Sequence, residues 1–298
     1  MPARLTAYLP DEAAATCLMR EPQRVRIGRG IDCEFRFEHP SVSREHAELI
    51  WQDGRWHLSD SGSKNGSFVD GVRIAASTAL KDRTWLRIGD ILCEFNLLSS
   101  EAAEQYERRM DVRRANSLIL LDKVLQKTDL PDLLQETVRA TLQLTECDRG
   151  FLLLADKASP TALTVAASHG IDPSNLRSRE FRGSAGAVQR ALNSRSPVVI
   201  NDLRLDPELA GRASVIAGNL RSLICLPLFA DGEAVGLVYA DSSRADQVIT
   251  QMDLELLKAF AERAALWIAA RRCVAAIGEL SANPSWAGIL EAQQRVSA

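Results

Sequence analysis

Residues 47–58 read AELIWQDGRWHL, and this stretch decides the fold of the N-terminal part of the chain. Two short segments rich in β-formers flank Asp53-Gly54, a dipeptide suited to the positive φ values of a tight hairpin turn. The pattern continues outward in both directions. RVRIG (24–28) alternates through Val25 and Ile27, and EFRF (34–37) through Phe35 and Phe37. Phe68-Val69 and Val72-Arg73-Ile74 flank a second Asp-Gly at 70–71. LRIGDILCEFNL (86–97) closes the series through Leu86, Ile88, Ile91, Cys93, Phe95 and Leu97. Period-2 alternation punctuated by turns predicts an all-β sandwich over residues 1–100.

The character changes after residue 100. Residues 101–128 hold no Gly or Pro and predict a linker helix, charged in its first half and apolar in its second through Leu118, Leu121, Val124 and Leu125. Asp129 is placed to N-cap a following helix, with Pro131 in its first turn. That helix carries Leu130, Leu134, Val138 and Leu142 on one face. From 149 onward strands and helices mix. RGFLLLAD, ALTVAAS, PVVIND, RSLICLPLF and AVGLVYAD read as strands, GAVQRALNS as a short helix, and DPELA as a loop or short helix. A long helix over 252–278 bears a stripe of Leu257, Phe260, Ala264, Trp267, Val274 and Gly278, interrupted by Arg271. Residues 129–278 therefore predict an α+β antiparallel-sheet domain, and 279–298 a flexible tail.

Composition excludes several classes. With 298 residues, 46% hydrophobic and 25% charged, the chain has room for two globular domains. A net charge of −3 argues against a protein that wraps nucleic acid. No stretch has the ~20 apolar residues of a membrane span, and the start MPARLTAYLPDEAAA lacks the apolar run of a signal peptide. The six cysteines and four histidines are scattered, with no metal-ligand spacing and no evident cofactor. A cytoplasmic protein with reduced thiols is expected.

On loops between the N-terminal strands lie Gly28-Arg29, Ser43-Arg44-Glu45-His46 and Lys64-Asn65-Gly66. A phosphate group offers three strong acceptor oxygens and calls for donors gathered from several loops. Arg29 supplies a charged fork, Ser43 a hydroxyl, and Arg44 and Lys64 further charge. In order and spacing these motifs resemble the FHA (forkhead-associated) family, whose signature is G-R, S-x-x-H and N-G. The resemblance implies that Arg29 and Ser43 contact the phosphate of a phosphothreonine peptide, with Arg44 and Lys64 assisting. It further implies that Asn65 holds the peptide backbone. Gly28, His46 and Gly66 would be structural members of the loops. A preference for phosphothreonine over phosphoserine is likewise implied only by the resemblance.

Residues 129–272 resemble a GAF domain through PVVINDLRLDPEL, RSLICLPLFADGEAVGLVYADS and the long closing helix. GAF domains take diverse small molecules or serve in dimerisation. The Asn-Lys-x-Phe signature of cyclic-nucleotide binders is missing, and His169 has no adjacent Cys to suggest a bilin site, so the ligand stays unknown. Cys147 and Cys225 read as core thiols and His169 as a rim residue. The bracketing helices suggest a homodimer, which would present paired phosphopeptide sites.

No P-loop, H-E-x-x-H, nucleophile elbow or dinucleotide fingerprint occurs, so no enzyme is expected. Nor does a kinase, cyclase, phosphatase or AAA+ segment follow residue 280. The expectation is a complete signalling adaptor that binds a threonine-phosphorylated protein, either a Ser/Thr kinase or its substrate. The alternatives are a small-molecule sensor working through the GAF pocket, or the regulatory input portion of a transcription activator.

Overall fold

The computed structural model describes residues 1–21, 24–156, 163–171, 184–202, 221–244 and 248–281, with side chains to residue 274. The N-terminal strands are β1 (Ala3–Tyr8), β2 (Ala15–Met19), β3 (Arg24–Gly28), β4 (Phe35–Arg36), β5 (Ala47–Gln52) and β6 (Arg55–Asp60). They continue with β7 (Ser67–Val69), β8 (Val72–Arg73), β9 (Thr78–Ala79), β10 (Thr84–Ile88) and β11 (Ile91–Leu97). A six-stranded sheet, β2-β1-β11-β10-β7-β8, faces a five-stranded one, β4-β3-β5-β6-β9. Inward-facing residues such as Leu5, Ile27, Leu49, Trp56, Ile88 and Phe95 fill the space between them. Asp53 and Gly54 have φ of 50° and 72°, and Asp70 and Gly71 have 47° and 82°, the left-handed values a tight hairpin turn needs.

The sequence reading covered strands only from residue 24. β1 and β2 went unseen because small residues (Ala3, Ala7, Ala15) stand at their buried positions and blunt the alternation. β1 pairs with β11 from Ala3↔Leu97 to Tyr8↔Leu92, so the chain's first strand closes against the sandwich's last. Trp56 Nε1 pins the start by donating to the Met1 carbonyl (2.9 Å).

Helix α1 (Ser100–Leu125) is N-capped by Ser99, whose hydroxyl accepts from Ala102 N. Its first turns lie on the outer face of β1 and β2. There the Arg4 guanidinium sits over the Tyr106 ring, and Glu107 pairs with Arg20. Leu121 and Val124 are buried as their apolar half predicts, but Leu118 is exposed. Helix α2 (Leu130–Thr145) starts at Asp129 with Pro131 in its first turn, yet the Asp129 side chain makes no capping bond. A ladder of threonines was also missed. Thr137, Thr141 and Thr145 are buried because each hydroxyl donates to the carbonyl four residues back, on Leu133, Thr137 and Thr141.

The C-terminal unit adds β12 (Arg149–Ala155), β13 (Leu163–His169), α3 (Ala185–Ser194), β14 (Val198–Ile200), β15 (Ser222–Ala230), β16 (Glu233–Ser242) and α4 (Gln251–Ser281). Its sheet, β13-β12-β16-β15-β14, is antiparallel throughout. Alternation along β15 divides the core. Ile224, Leu226 and Leu228 face α2 and α4, while Leu223 and Cys225 face α3. The apolar stripe of α4, which could cover the domain's own sheet or a partner helix, is largely used internally. Leu257, Phe260 and Ala264 are buried in the domain's own core with Trp267 packed against them, and only Val274 stands clear. Gly278 and DPELA lie outside the residues described at that level, as does the predicted tail from 282 onward; its first residues, 279–281, belong to α4.

The β1–β2 connection reaches across to the C-terminal unit. Ala14 N donates to Ile249 O (2.9 Å) and Gln251 N to Ala14 O (2.9 Å), forming a parallel bridge beside Thr250. Val199 N donates to Asp11 O (3.3 Å), and the Asp11 carboxylate pairs with Arg190 of α3 (3.1 Å). Ala13 joins the core of the C-terminal unit. The registers Tyr8↔Leu92, Ile91↔Ile88 and Ile88↔Ser67 put this connection at the same end of the sandwich as the loops before β7 and after β10.

Candidate phosphopeptide-binding site

The predicted site residues sit on loops at one end of the sandwich, except Gly28, which ends β3. Arg29 follows β3, Ser43 and Arg44 precede β5, and Lys64, Asn65 and Gly66 precede β7. Strand ends fix where these loops start, and cross-loop hydrogen bonds hold them together. Arg29 N donates to Ser43 O (3.0 Å) and Gly30 N to Arg44 O (3.0 Å). Lys64 N donates to Ser43 Oγ (3.1 Å), so the hydroxyl that the family resemblance assigns to phosphate already faces the third loop. Gly28 is required for this closeness, since a Cβ there would lie 2.2 Å from Arg44 O.

His46 is the internal brace. It is fully buried, accepts from Ser43 N at Nδ1 (3.0 Å) and meets Gly66 O at Nε2 (3.2 Å). A backbone N–H only donates and a carbonyl only accepts, so the ring is neutral with its proton on Nε2. Burial lowers its pKa below the ordinary value. A base with a lowered folded pKa stabilises the fold above its unfolded pKa of about 6.5, and that contribution shrinks as pH falls from there towards the folded value. Thermal melts should therefore show the parent losing stability below about pH 6.5 more steeply than His46→Gln, which cannot titrate. Parallel slopes for the two proteins would count against this brace.

Residues that the sequence reading passed over complete the framework. Ser41 accepts Asn65 Nδ2 at its carbonyl (2.8 Å) and Asp90 N at its hydroxyl (2.9 Å). Asp60 accepts from Gly62 N, Ser63 N, Ser63 Oγ and Ser67 Oγ. Burial opposes its charge, but those bonds outweigh it and hold its pKa below the usual carboxylate value. The Cys33 thiol donates to Arg44 O (3.1 Å). Short polar residues near turns were the available signal for Ser41 and Asp60.

The electrostatics are lopsided. Arg24, Arg26 and Arg36 pair with Glu48, Glu34 and Glu38. By contrast Arg29, Arg44 and Lys64 are exposed and have no carboxylate partner among the described residues. Unpaired cations around a hydroxyl held by backbone bonds form a receptor for a compact, multiply charged anion.

The C-terminal unit shows a different kind of polar centre. Asp241 is buried, and receives Arg149 Nε (2.6 Å) and the Tyr239 hydroxyl (2.7 Å). Ser184 N donates to the same Tyr239 oxygen (3.1 Å). Phe151 stacks on Tyr239 at 4.7 Å. Cys147 and Cys225 are buried, and burial pushes their thiols up, to about 12 for Cys147. His169 is exposed at the end of β13.

Comparison with known proteins yields family models over both units. The FHA domain model matches residues 25–90 and the GAF domain model residues 129–268. Among curated relatives from Mycobacterium tuberculosis, an ABC transporter ATP-binding/permease protein is 34% identical over 42% of this chain and 14% of its own length. FhaA, an FHA domain-containing protein, is 34% identical over 28% of this chain and 16% of its own length. The chain thus spans well under two thirds of these relatives. A solved structure of the FhaA FHA domain complexed with the intracellular domain of Rv3910 is 32% identical, covering 31% of this chain and 99% of that one at a TM-score of 0.28. Another, described as an analysis of phosphothreonine-dependent FHA domain interactions, is 30% identical over 32% of this chain and 98% of that one at a TM-score of 0.29. A GAF domain from a Coxiella burnetii phosphoenolpyruvate-protein phosphotransferase is 17% identical, covering 54% of this chain and 98% of that one at a TM-score of 0.45.

Proposed function

Because the chain is a protein with an FHA domain followed by a GAF domain, we propose that it is a cytoplasmic signalling adaptor that recruits threonine-phosphorylated proteins and catalyses nothing itself. Arg29 and Ser43 take the phosphate, Arg44 and Lys64 add charge, and Asn65 holds the peptide backbone in extended form. Its partner is a Ser/Thr kinase carrying phosphothreonine, or a substrate of one. The observation that carries this reading is the cluster of exposed, uncompensated cations Arg29, Arg44 and Lys64 around Ser43, whose hydroxyl already accepts Lys64 N. Calorimetry with a matched pair of peptides tests it. The phosphothreonine form should bind and the unphosphorylated form should not; equal binding of both would end the proposal.

The role proposed for the GAF domain and its helices is dimerisation. Val112 and Ile119, seven residues apart on α1, are 56% and 54% exposed, and Leu118 beside them is 68% exposed. A stripe at heptad spacing that the molecule itself leaves uncovered suits a second copy of the same helix. Ile119→Glu should convert a dimer to a monomer in light scattering without lowering the melting temperature. A parent that runs as a monomer at high concentration would refute this role.

A further inference from the structure

Gly66 has a φ of +80°, and the space a Cβ would take there is filled by the guanidinium of Arg73, whose Nε would lie 2.6 Å from such an atom. Arg73 reaches it from β8. Along the outer face of the sheet, Phe68 stands opposite Arg87 on one side and Arg73 on the other. The two arginines are used differently. Arg87 stacks on the Phe68 ring at 3.5 Å and donates to Gly89 O (2.7 Å). Arg73 is exposed and makes no hydrogen bond or ion pair among the described residues. The nearby carboxylate of Asp60 is already engaged by four donors. Holding a long flexible side chain against Gly66 costs rotamer freedom, and no salt bridge among the described residues offsets it. The exposed guanidinium thus lies over Gly66, one residue from Asn65, with its donors uncommitted among the described residues.

We propose that Arg73 is a second anion-reading residue, which takes an acidic side chain, carboxylate or phosphate, on the stretch of peptide that passes Asn65. This rests on the phosphopeptide reading of the loops and deepens it. The phosphothreonine gives affinity through Arg29 and its neighbours. Arg73 selects among phosphothreonine sites by the charge of a flanking residue. A guanidinium matches either oxyanion with parallel N–H···O bonds, and the exposure of the site makes the gain modest and sensitive to salt.

The test uses the full chain and phosphothreonine peptides with alanine at all flanking positions. A single aspartate is scanned along one series and a second phosphothreonine along another. At one flanking position the aspartate should tighten binding by about threefold to fivefold, an effect the size of an exposed ion pair, and added salt should erode it. Arg73→Gln should lose that gain while binding the all-alanine phosphopeptide as the parent does. If only the second phosphothreonine series shows the gain, the site reads phosphate rather than carboxylate, and the proposal stands for that anion. No gain in either series, or a gain that survives Arg73→Gln, overturns it. So does a loss of the all-alanine phosphopeptide in Arg73→Gln at unchanged melting temperature, which would make Arg73 part of the phosphate contact itself. Failure of the parent to distinguish phosphorylated from unphosphorylated peptide is a separate result, and it removes both readings together.

Discussion

Arg29→Ala should weaken phosphothreonine-peptide binding at least about tenfold while leaving the melting temperature of the protein unchanged. The side chain is exposed and has no carboxylate partner among the described residues, so its removal takes nothing from the fold. The loop is held by its backbone, through Arg29 N on Ser43 O and Gly30 N on Arg44 O, and these bonds survive the substitution. What goes is a charge-assisted fork onto a dianion. At about 1.5–3 kcal/mol for each such bond, the loss is about tenfold to more than a hundredfold in affinity. Arg29→Lys should fall between the two, because an ammonium keeps the charge but not the bidentate geometry. Titration calorimetry at fixed salt makes the comparison. A variant that binds like the parent would move the site elsewhere.

The second large effect concerns stability. Arg149→Ala leaves the Asp241 carboxylate buried without its cation, with, among the described residues, only the Tyr239 hydroxyl still donating to it. Breaking a buried pair from one side costs about 3–5 kcal/mol, and the partial exposure of Arg149 puts the expected loss at the lower end. The pH dependence identifies the cause. Burial already raises the Asp241 pKa above its ordinary value despite Arg149. A carboxyl with a raised folded pKa holds its proton more tightly folded than unfolded, so it favours the fold as pH falls through the folded value and opposes it above. Without Arg149 that pKa rises further. The variant should therefore lose most stability near pH 8 and recover part of it near pH 5, as read by thermal unfolding. A loss of the same size at both values would assign the defect to packing.

Strand alternation and Asp-Gly turns made most of the sandwich legible, since side chains that must alternate between core and solvent write that alternation into the sequence. Where small residues occupied the inward positions, in β1 and β2, the signal faded. The threonine ladder of α2 was hidden for a related reason: a hydroxyl that returns its bond to the same helix can be buried, while residue type alone marks it as polar. The α4 stripe carried a real ambiguity. Leu257, Phe260 and Ala264 would look the same whether they covered the domain's own sheet or a partner helix, and only the packing decides. At the candidate site the motif residues are close in sequence to the turns that carry them. Ser41, Asp60 and Arg73 meet the loops through neighbours distant in sequence, which no local pattern records.

The bridge between Ala14 and the start of α4 would give a protein recruited in the proposed way a heading. Domains joined by one covalent connection turn about it, and the range of a bound partner then depends on linker length. Here the units are joined at α1 and again at the Asp11–Ala14 crossing, and two points of attachment restrict that rotation. Since the crossing lies at the same end of the sandwich as the candidate binding loops, a peptide held there under the proposed function would lie on the side of the sandwich that meets α3 of the GAF domain. Reach along a tether is replaced by aim.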